Sequence, residues 1–308
     1  MISIIVPVKE EEGNVRQLYI EIKKVMNHLI KEFNLDSYEV IFVNDGSTDN
    51  TQQVLEDLKK TQGDKIKIIE FRKNFGKSAA YNAAFKICKG DLIFTMDGDL
   101  QDHPFDIPKF IEKIQEGNDV VIGWKHKRKD PISKKLASKL FNLILRRSTK
   151  LKLHDSDNGY RCMKKEVLPH LNLYGGLYRY IPVFASSKGF KVDEVKVNHR
   201  KRTSGKSKYG VSRLFGGFFD LITIKFLFYL KRPLHFFGGI GSLFFGSGAL
   251  LAAVLTLQKM LTGTRYQLIS FASLLMILGL QFLLFGLIGE MITNINKKEE
   301  NYSIKSLK

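Results

Sequence analysis

The chain has 308 residues, a formal charge of +18 and 44% hydrophobic residues, enough for one sizeable domain with something appended. The charge is uneven: residues 1–120 hold 16 Lys/Arg against 21 Asp/Glu, residues 121–232 hold 27 against 7, and residues 233–308 hold 6 against 3. Two cysteines, Cys88 and Cys162, form no disulfide framework and fit a reducing compartment. A nucleic-acid partner for the basic middle would need stacking aromatics interleaved with the charges, whereas the aromatics gather in the apolar run after Tyr209, so nucleic acid is set aside.

Ile2–Val8 is a β-branched run ended by Pro7 and then by acids, which predicts a first strand. From Gly13 to Phe33, Val15, Leu18, Ile22, Val25, Leu29 and Ile30 recur at helical spacing. Tyr38–Val43 reads as the second strand, and Asn44-Asp45-Gly46-Ser47-Thr48-Asp49 as a turn with cap candidates for a helix through Leu58. Ile66–Phe71 is a third strand, Lys77–Lys89 a helix and Leu92–Met96 a fourth strand; Pro104 opens another helix, and Asp119–Gly123 is a fifth strand. Strand and helix alternating at this spacing predict a mostly parallel sheet covered on both faces. Ligands of such sheets sit beyond the carboxyl ends of the strands, where Lys9-Glu10-Glu11, Asn44-Asp45 and Asp97-Gly98-Asp99 all fall.

The last of these clusters carries the most chemistry. The strand Leu92–Met96 would deliver two carboxylates to its tip, with Gly98 between them free to turn tightly beside a ligand. Two hard oxygen donors with room for water and phosphate suit Mg²⁺ or Mn²⁺; taken alone, Asp-Gly-Asp also reads as a polar turn.

After Gly123 the composition changes. Trp124-Lys125-His126-Lys127-Arg128-Lys129-Asp130-Pro131 is a basic loop before a helix over 132–147, whose Ile132, Leu136, Leu140 and Ile144 form one stripe beside five basic residues. That is the make-up of a helix lying in a membrane interface, with an ordinary amphipathic surface helix as the alternative. Arg200-Lys201-Arg202-Thr203-Ser204-Gly205-Lys206-Ser207-Lys208-Tyr209 leads into a second interfacial helix over 210–232. Pro233–Gln258 and Tyr266–Gly289 contain no Asp, Glu, Lys or Arg, and each is long enough to cross a bilayer core. The predicted organisation is thus a domain over 1–209, the interfacial helix, two transmembrane helices within 233–290 and a tail over 291–308. The first strand is too short an apolar run for a signal peptide, so the soluble part is expected not to be exported. Lys225, Lys231, Arg232, Lys297 and Lys298 flank the spans, which the positive-inside bias reads as a multi-pass cell-membrane protein with its large N-terminal domain and both termini cytoplasmic.

Val6-Pro7-Val8-Lys9-Glu10-Glu11-Glu12, Val43-Asn44-Asp45-Gly46-Ser47-Thr48-Asp49, Arg72-Lys73-Asn74-Phe75-Gly76-Lys77 and Asp97-Gly98-Asp99 together resemble family 2 glycosyltransferases of the GT-A fold. The resemblance runs on through Asn158-Gly159-Tyr160-Arg161 and Gly205-Lys206-Ser207-Lys208-Tyr209 into the paired apolar segments. That full-length pattern is similar to the polyprenyl-phosphate glycosyltransferases, the group of bactoprenol glucosyltransferases and dolichol-phosphate mannose synthase. The resemblance implies an α/β, Rossmann-like GT-A domain, a nucleotide-sugar donor with UDP as default, and Mg²⁺ or Mn²⁺. It also implies inverting transfer of a hexose to polyprenyl phosphate at the cytoplasmic membrane face, for cell-envelope glycosylation.

Carried over by position, Pro7, Lys9, Glu11, Val43, Asp45, Lys77, Asp97 and Gly98 would bind the nucleotide. Lys9 stands where the family has an aromatic residue and Asn44 where it has Asp. Asp97 and Asp99 would hold the metal with Gln101 beside them. Family members that glycosylate hydroxyl groups carry a carboxylate base after the Gly-Tyr-Arg stretch, but no Asp or Glu occurs between Glu166 and Asp193. A phosphate monoester, with a second pKa of about 6, is largely ionised at pH 7 and needs little help from a base. Asp155 and Asp157 are candidates for orienting the acceptor, Asp157 preferred, with a turn or a salt bridge to Arg161 as the bland alternative. The expected cations for the lipid phosphate are Lys125, Arg128, Arg200, Arg202 and Lys208. A processive polysaccharide synthase is disfavoured because its Gln-x-x-Arg-Trp signature is absent and two spans make a poor channel. Intact Asp45, Asp97, Asp99 and Arg161 speak against a non-catalytic membrane adaptor that binds nucleotide sugar without turning it over. Self-association is left open.

Overall fold

The computed structural model describes residues 1–33, 35–126, 151, 153–200, 232–262 and 268–295. The chain divides into two compact units, Met1–Leu221 and Ile222–Lys308. The helix expected over 132–147 lies outside the described residues, as do nearly all of the segment 210–232 and the tail beyond 295.

The first unit is built on a seven-stranded sheet in the order β3-β2-β1-β4-β6-β5-β7. Its strands are β1 (Ile2–Val8), β2 (Tyr38–Asn44), β3 (Ile66–Glu70), β4 (Leu92–Thr95), β5 (Val120–Lys125), β6 (Arg161–Lys164) and β7 (Val192–Val197). β1 and β2 are buried along their whole length, as expected of near-continuous apolar runs at the centre of a parallel sheet covered on both faces. Four pairings are parallel, and β6 runs antiparallel to both β4 and β5. The expectation of a mostly parallel sheet holds.

Helix α1 (Val15–Glu32) buries Val15, Leu18, Ile22, Val25 and Leu29 of the predicted stripe, together with Tyr19 and Met26. Helix α2 (Thr51–Gln62) stops at Gly63, whose φ of +62° suits a residue without a Cβ. Helix α3 (Lys77–Ile87) follows the third strand. A 3₁₀ turn at Pro104–Asp106 leads into α4 (Ile107–Gln115), with His103 Nδ1 accepting the Phe105 N–H at 3.3 Å. Phe110 of α4 lies between Phe94 and Tyr160, ring centroids 5.8 and 4.6 Å away, which locks that helix onto β4 and the start of β6. A short helix, α5 (Ile181–Ser187), precedes β7.

β6 and β7 carry no strand signal of the kind that marks β1 to β5. β6 is four residues long and bounded by Arg161 and Lys164. What defines it is a hydrogen-bonded neighbour on either side, and the chain meets those neighbours only once the sheet exists.

In the second unit, α6 (Pro233–Thr262) and α7 (Leu268–Ile295) pack side by side, and Pro233–Leu261 and Leu268–Ile292 are each long and apolar enough to cross a membrane. Small residues set their spacing. A Cβ on Gly241 would come within 2.7 Å of the Gly279 carbonyl oxygen, and one on Gly248 within 2.8 Å of that of Ala272. Close backbone approach of this kind is how apolar helices associate without a hydrophobic drive. The Glu290 carboxylate of α7 accepts the Leu234 N–H at 3.4 Å, placing negative charge at the N-terminus of α6.

Candidate active site

The parallel strands of the first unit end on one edge, and the loops there are tied to one another. The Lys9–Asn14 loop is fastened to the loop after β2: Glu10 N–H donates to Ser47 Oγ at 3.0 Å, Glu11 N–H to Thr51 Oγ1 at 2.9 Å, and Thr48 N–H to Glu10 Oε1 at 3.0 Å. Glu10 is held at φ +53° by these bonds. Glu11 accepts from Asn14 Nδ2 at 2.5 Å and so anchors the start of α1.

Asn44, where the family pattern has Asp, is buried and shapes the turn. Its Oδ1 accepts the Ser47 N–H at 3.0 Å, and its Nδ2 donates to Gln52 at 3.0 Å. Asp45 is also buried, and its carboxylate accepts the N–H groups of Phe75 at 2.7 Å and Gly76 at 3.0 Å. Asp45 thereby holds the turn that launches α3 and, with it, Lys77.

Lys77 reaches across the edge to β4, and its Nζ lies 2.6 Å from Asp97 Oδ1 and 5.9 Å from the centre of the Tyr178 ring. Gly98 sits against β1, where a Cβ would be 2.8 Å from Val8 Cγ1; a Cβ on Gly159 would be 3.1 Å from Asp97 Oδ1. The Asp-Gly-Asp and Asn-Gly-Tyr-Arg motifs, more than fifty residues apart, therefore interlock around one carboxylate. Thr95 Oγ1 donating to the Gly159 carbonyl at 2.7 Å fixes the register.

The loop after Asp97 is strained and braced. Leu100 adopts φ +61°, Asp99 Oδ1 accepts the Gln101 N–H at 3.1 Å, and Asp102 Oδ2 accepts the Asp97 N–H at 3.2 Å. Asp102 is buried and its Oδ1 lies 3.3 Å from Lys125 Nζ. Burial pushes the Asp102 carboxyl up, and although Lys125 opposes this, Asp97 and Asp99 add to it. Lys125 is shifted the opposite way from what its burial alone would do, because Asp102, Asp97 and Asp155 keep it charged. Asp97 shows the same contest: burial would raise it, yet Lys77, Lys125 and Arg161 hold it below the usual carboxylate range.

Beneath Asp97 lies Arg161, fully buried, with Nη1 donating to the Tyr178 carbonyl at 2.8 Å. Its Nε and Nη2, like the buried Tyr81 hydroxyl, have no hydrogen-bond partner among the described residues. Asp157, 44% exposed, faces Arg179, whose Nε is 3.3 Å from Asp157 Oδ1. The ion pair is thus made with Arg179 rather than with Arg161. Arg200 is drawn alongside the loop, its N–H donating to the Gln101 carbonyl at 3.1 Å and Gln101 Nε2 donating to the Arg200 carbonyl at 3.4 Å. The Arg200 guanidinium reaches both Glu21 carboxylate oxygens at 3.0 Å. Arg128, Arg202 and Lys208 lie outside the described residues.

The fold thus gathers Asp97, Asp99, Gln101, Lys77, Lys125, Arg161 and Asp157 at one sheet edge, with Pro7, Lys9 and Glu11 at the end of β1 and Val43 and Asp45 at the end of β2. Asp102 and Arg179 had no role assigned from sequence. Asp102 could have been noticed as a third acid within six residues, whereas nothing local points to Arg179. Among the described residues no group of three or more His, Cys, Asp or Glu is arranged to hold a metal ion. The chemistry of the Asp97 and Asp99 carboxylates nonetheless suits a divalent cation that completes its shell from phosphate and water, and Lys77 Nζ lies against Asp97 Oδ1.

A mostly parallel sheet with one antiparallel strand and an Asp-Gly-Asp loop at its carboxyl edge is the GT-A arrangement of a glycosyltransferase. The chain belongs to glycosyl transferase family 2, whose model matches residues 3–171. It is 32% identical over 321 residues to the dodecaprenyl-phosphate galacturonate synthase of Rhizobium johnstonii, covering 99% of this chain and 92% of that one. It is 30% identical over 296 residues to the undecaprenyl-phosphate 4-deoxy-4-formamido-L-arabinose transferase of Aeromonas hydrophila, covering 95% and 88%. Among solved structures, glucosyl-3-phosphoglycerate synthase from Mycobacterium tuberculosis, in complex with Mn²⁺, UDP and phosphoglyceric acid, superposes with a TM-score of 0.56. That match covers 73% of this chain and 77% of the other at 17% identity, a likeness of fold.

Proposed function

We propose that this glycosyltransferase moves a hexose from a nucleotide sugar, UDP-linked, to polyprenyl phosphate at the cytoplasmic face of the membrane. The observation that carries the reading is the near full-length match, apolar helices included, to two relatives named as polyprenyl-phosphate sugar transferases. The nucleotide would lie over the ends of β1 and β2, near Pro7, Lys9, Glu11, Val43 and Asp45. Lys77 would contact its phosphates. Asp97 and Asp99, with Gln101 beside them, would hold Mg²⁺ or Mn²⁺; when bound, such an ion offsets the charge that develops on the departing nucleoside diphosphate.

The cations around Asp97 keep its carboxylate ionised and therefore ready for a metal. The acceptor phosphate oxygen attacks the anomeric carbon opposite the leaving group, so its bond to carbon forms as the bond to the nucleotide phosphate breaks, inverting the centre to a β-linked product. An already ionised phosphate needs orientation more than a base, and the Asp157–Arg179 pair is suited to that task. Arg128, Arg202 and Lys208 are assigned to the lipid phosphate.

The test is to incubate membranes carrying the protein with a panel of radiolabelled nucleotide sugars and undecaprenyl phosphate. The expected result is one lipid-linked sugar, formed with only one or two of the donors. Absence of lipid-linked product with every donor, alongside intact UDP binding, would favour the membrane-adaptor alternative.

A further inference from the structure

Near the middle of α7 stands a polar side chain that no described residue engages. Gln281 of α7 is exposed on the helix surface, and no hydrogen bond joins its carboxamide to any described residue. Three hydroxyl side chains in the same two helices bond to their own backbone: Ser247 to the Phe244 carbonyl at 3.0 Å, Thr256 to that of Ala252 at 2.7 Å and Ser273 to that of Ile269 at 3.1 Å. A glutamine side chain is too long for that economy, and its two donors and one acceptor remain open.

Its depth makes this costly. Gln281 stands 13 residues from Leu268 and 11 from Ile292, the ends of the apolar span. At 1.5 Å per residue it lies about 20 and about 17 Å from them, beyond the reach of its own side chain. Its direction is equally defined. Gly279 faces α6, since a Cβ there would be 2.7 Å from the Gly241 carbonyl oxygen. Two residues further on is about 200° around the helix, so Gln281 points away from α6. On the same outward ridge stand Leu274, Ile277, Leu284 and Ile288, all between 49% and 55% exposed. Their spacing with Gln281 is three, four, three, four, the a/d seam of a helix pair with one polar residue near its centre.

We infer that this ridge of α7 is the contact between two copies of the chain, which pair in parallel across a two-fold axis with Gln281 against Gln281. The occupant follows from topology. Copies inserted in the same sense present the same residue at the same depth, and a carboxamide is its own complement, one Nε2 donating to the other Oε1. An apolar partner would leave both amides unsatisfied in hydrocarbon, and polar side chains at such positions specify partner and register.

The test uses the full chain in lipid vesicles, with fluorescence energy transfer between labelled copies followed as lipid dilutes them. Gln281→Leu should weaken the dimer about tenfold, equivalent to ~1.4 kcal/mol, and Gln281→Asn should restore much of that loss. In parallel, single cysteines at Ile277, Leu284 and Ile288 should cross-link between copies, while those at Leu280 and Leu287, about 100° off the ridge, should not. A monomer at all dilutions, an unaltered dimer in Gln281→Leu, or cross-links spread evenly around α7 would each overturn the inference. Sugar transfer is a separate readout, so loss of pairing with activity intact would leave the proposed function standing.

Discussion

Replacing Lys77 by Met tests how the site handles charge before its donor arrives. The ammonium lies 2.6 Å from Asp97 Oδ1, and the two side chains are 27% and 28% exposed, so the pair is partly shielded from water. A charge-assisted hydrogen bond of this kind is worth roughly 1.5–3 kcal/mol, or about 10- to 150-fold in a binding constant. The same oxygen cannot serve the ammonium and a metal ion together. In the wild type, a bare cation must therefore displace Lys77, whereas a bound nucleotide offers the ammonium its phosphates in exchange.

Lys77→Met should consequently bind Mn²⁺ about tenfold or more tightly in the absence of nucleotide, and bind UDP about tenfold or more weakly. Removing the nearest cation also raises the Asp97 carboxyl toward its burial-dominated value, since Lys77 is the largest of the groups holding it down. Protons then compete better with the metal, so the gain in Mn²⁺ affinity should shrink as pH is lowered. Calorimetry or electron paramagnetic resonance on the purified full chain, with and without UDP, reads both constants. Unchanged or weaker Mn²⁺ binding by the nucleotide-free variant would refute the exchange of partners.

Activity should vanish in EDTA and return with Mg²⁺ or Mn²⁺, and Asp99→Asn should lose at least about 100-fold in kcat, ~2.7 kcal/mol of transition-state stabilisation; full activity in chelator would refute it. Arg202→Gln and Lys208→Gln should raise the KM for lipid phosphate roughly tenfold while leaving UDP affinity unchanged. Arg200→Gln, whose guanidinium is engaged by Glu21, should instead lower thermal stability with a smaller change in that KM; a shift in UDP binding equal to that in lipid binding would refute the division of labour. At the opposite edge of the sheet, buried Glu39 meets Lys67 Nζ at 2.7 Å, the Lys89 N–H at 2.6 Å and Ser3 Oγ at 2.6 Å. Burial would raise it, but these partners hold it low, so its contribution is present above the unfolded glutamate pKa of about 4.3 and fades as pH falls through the lower folded value. Glu39→Gln should cost about 1.5–3 kcal/mol at pH 7 and converge on wild type in acid; a deficit independent of pH would point to lost packing instead.

The sequence by itself determined the elements whose signal is local. β1, β2 and β4 are short apolar runs closed by acids or turns, and α1 announces its buried face by the spacing of Val15, Leu18, Ile22, Val25 and Leu29. The two long apolar helices were legible for the same reason, since a stretch without charge must be buried in something. The placing of Asp97 and Asp99 at the carboxyl edge of the sheet was legible because they directly follow the short apolar run of β4.

What only the tertiary structure decided is which charges neutralise one another, because Coulomb energies depend on distance through space and on burial, neither of which is written along the chain. Lys77 on Asp97, Lys125 on Asp102, Arg179 on Asp157 and Arg200 on Glu21 join residues from 20 to 179 positions apart. Strand β6 belongs to the same class: four residues become a strand, and Arg161 comes to lie under Asp97, only because β4 and β5 stand on either side to take its backbone hydrogen bonds.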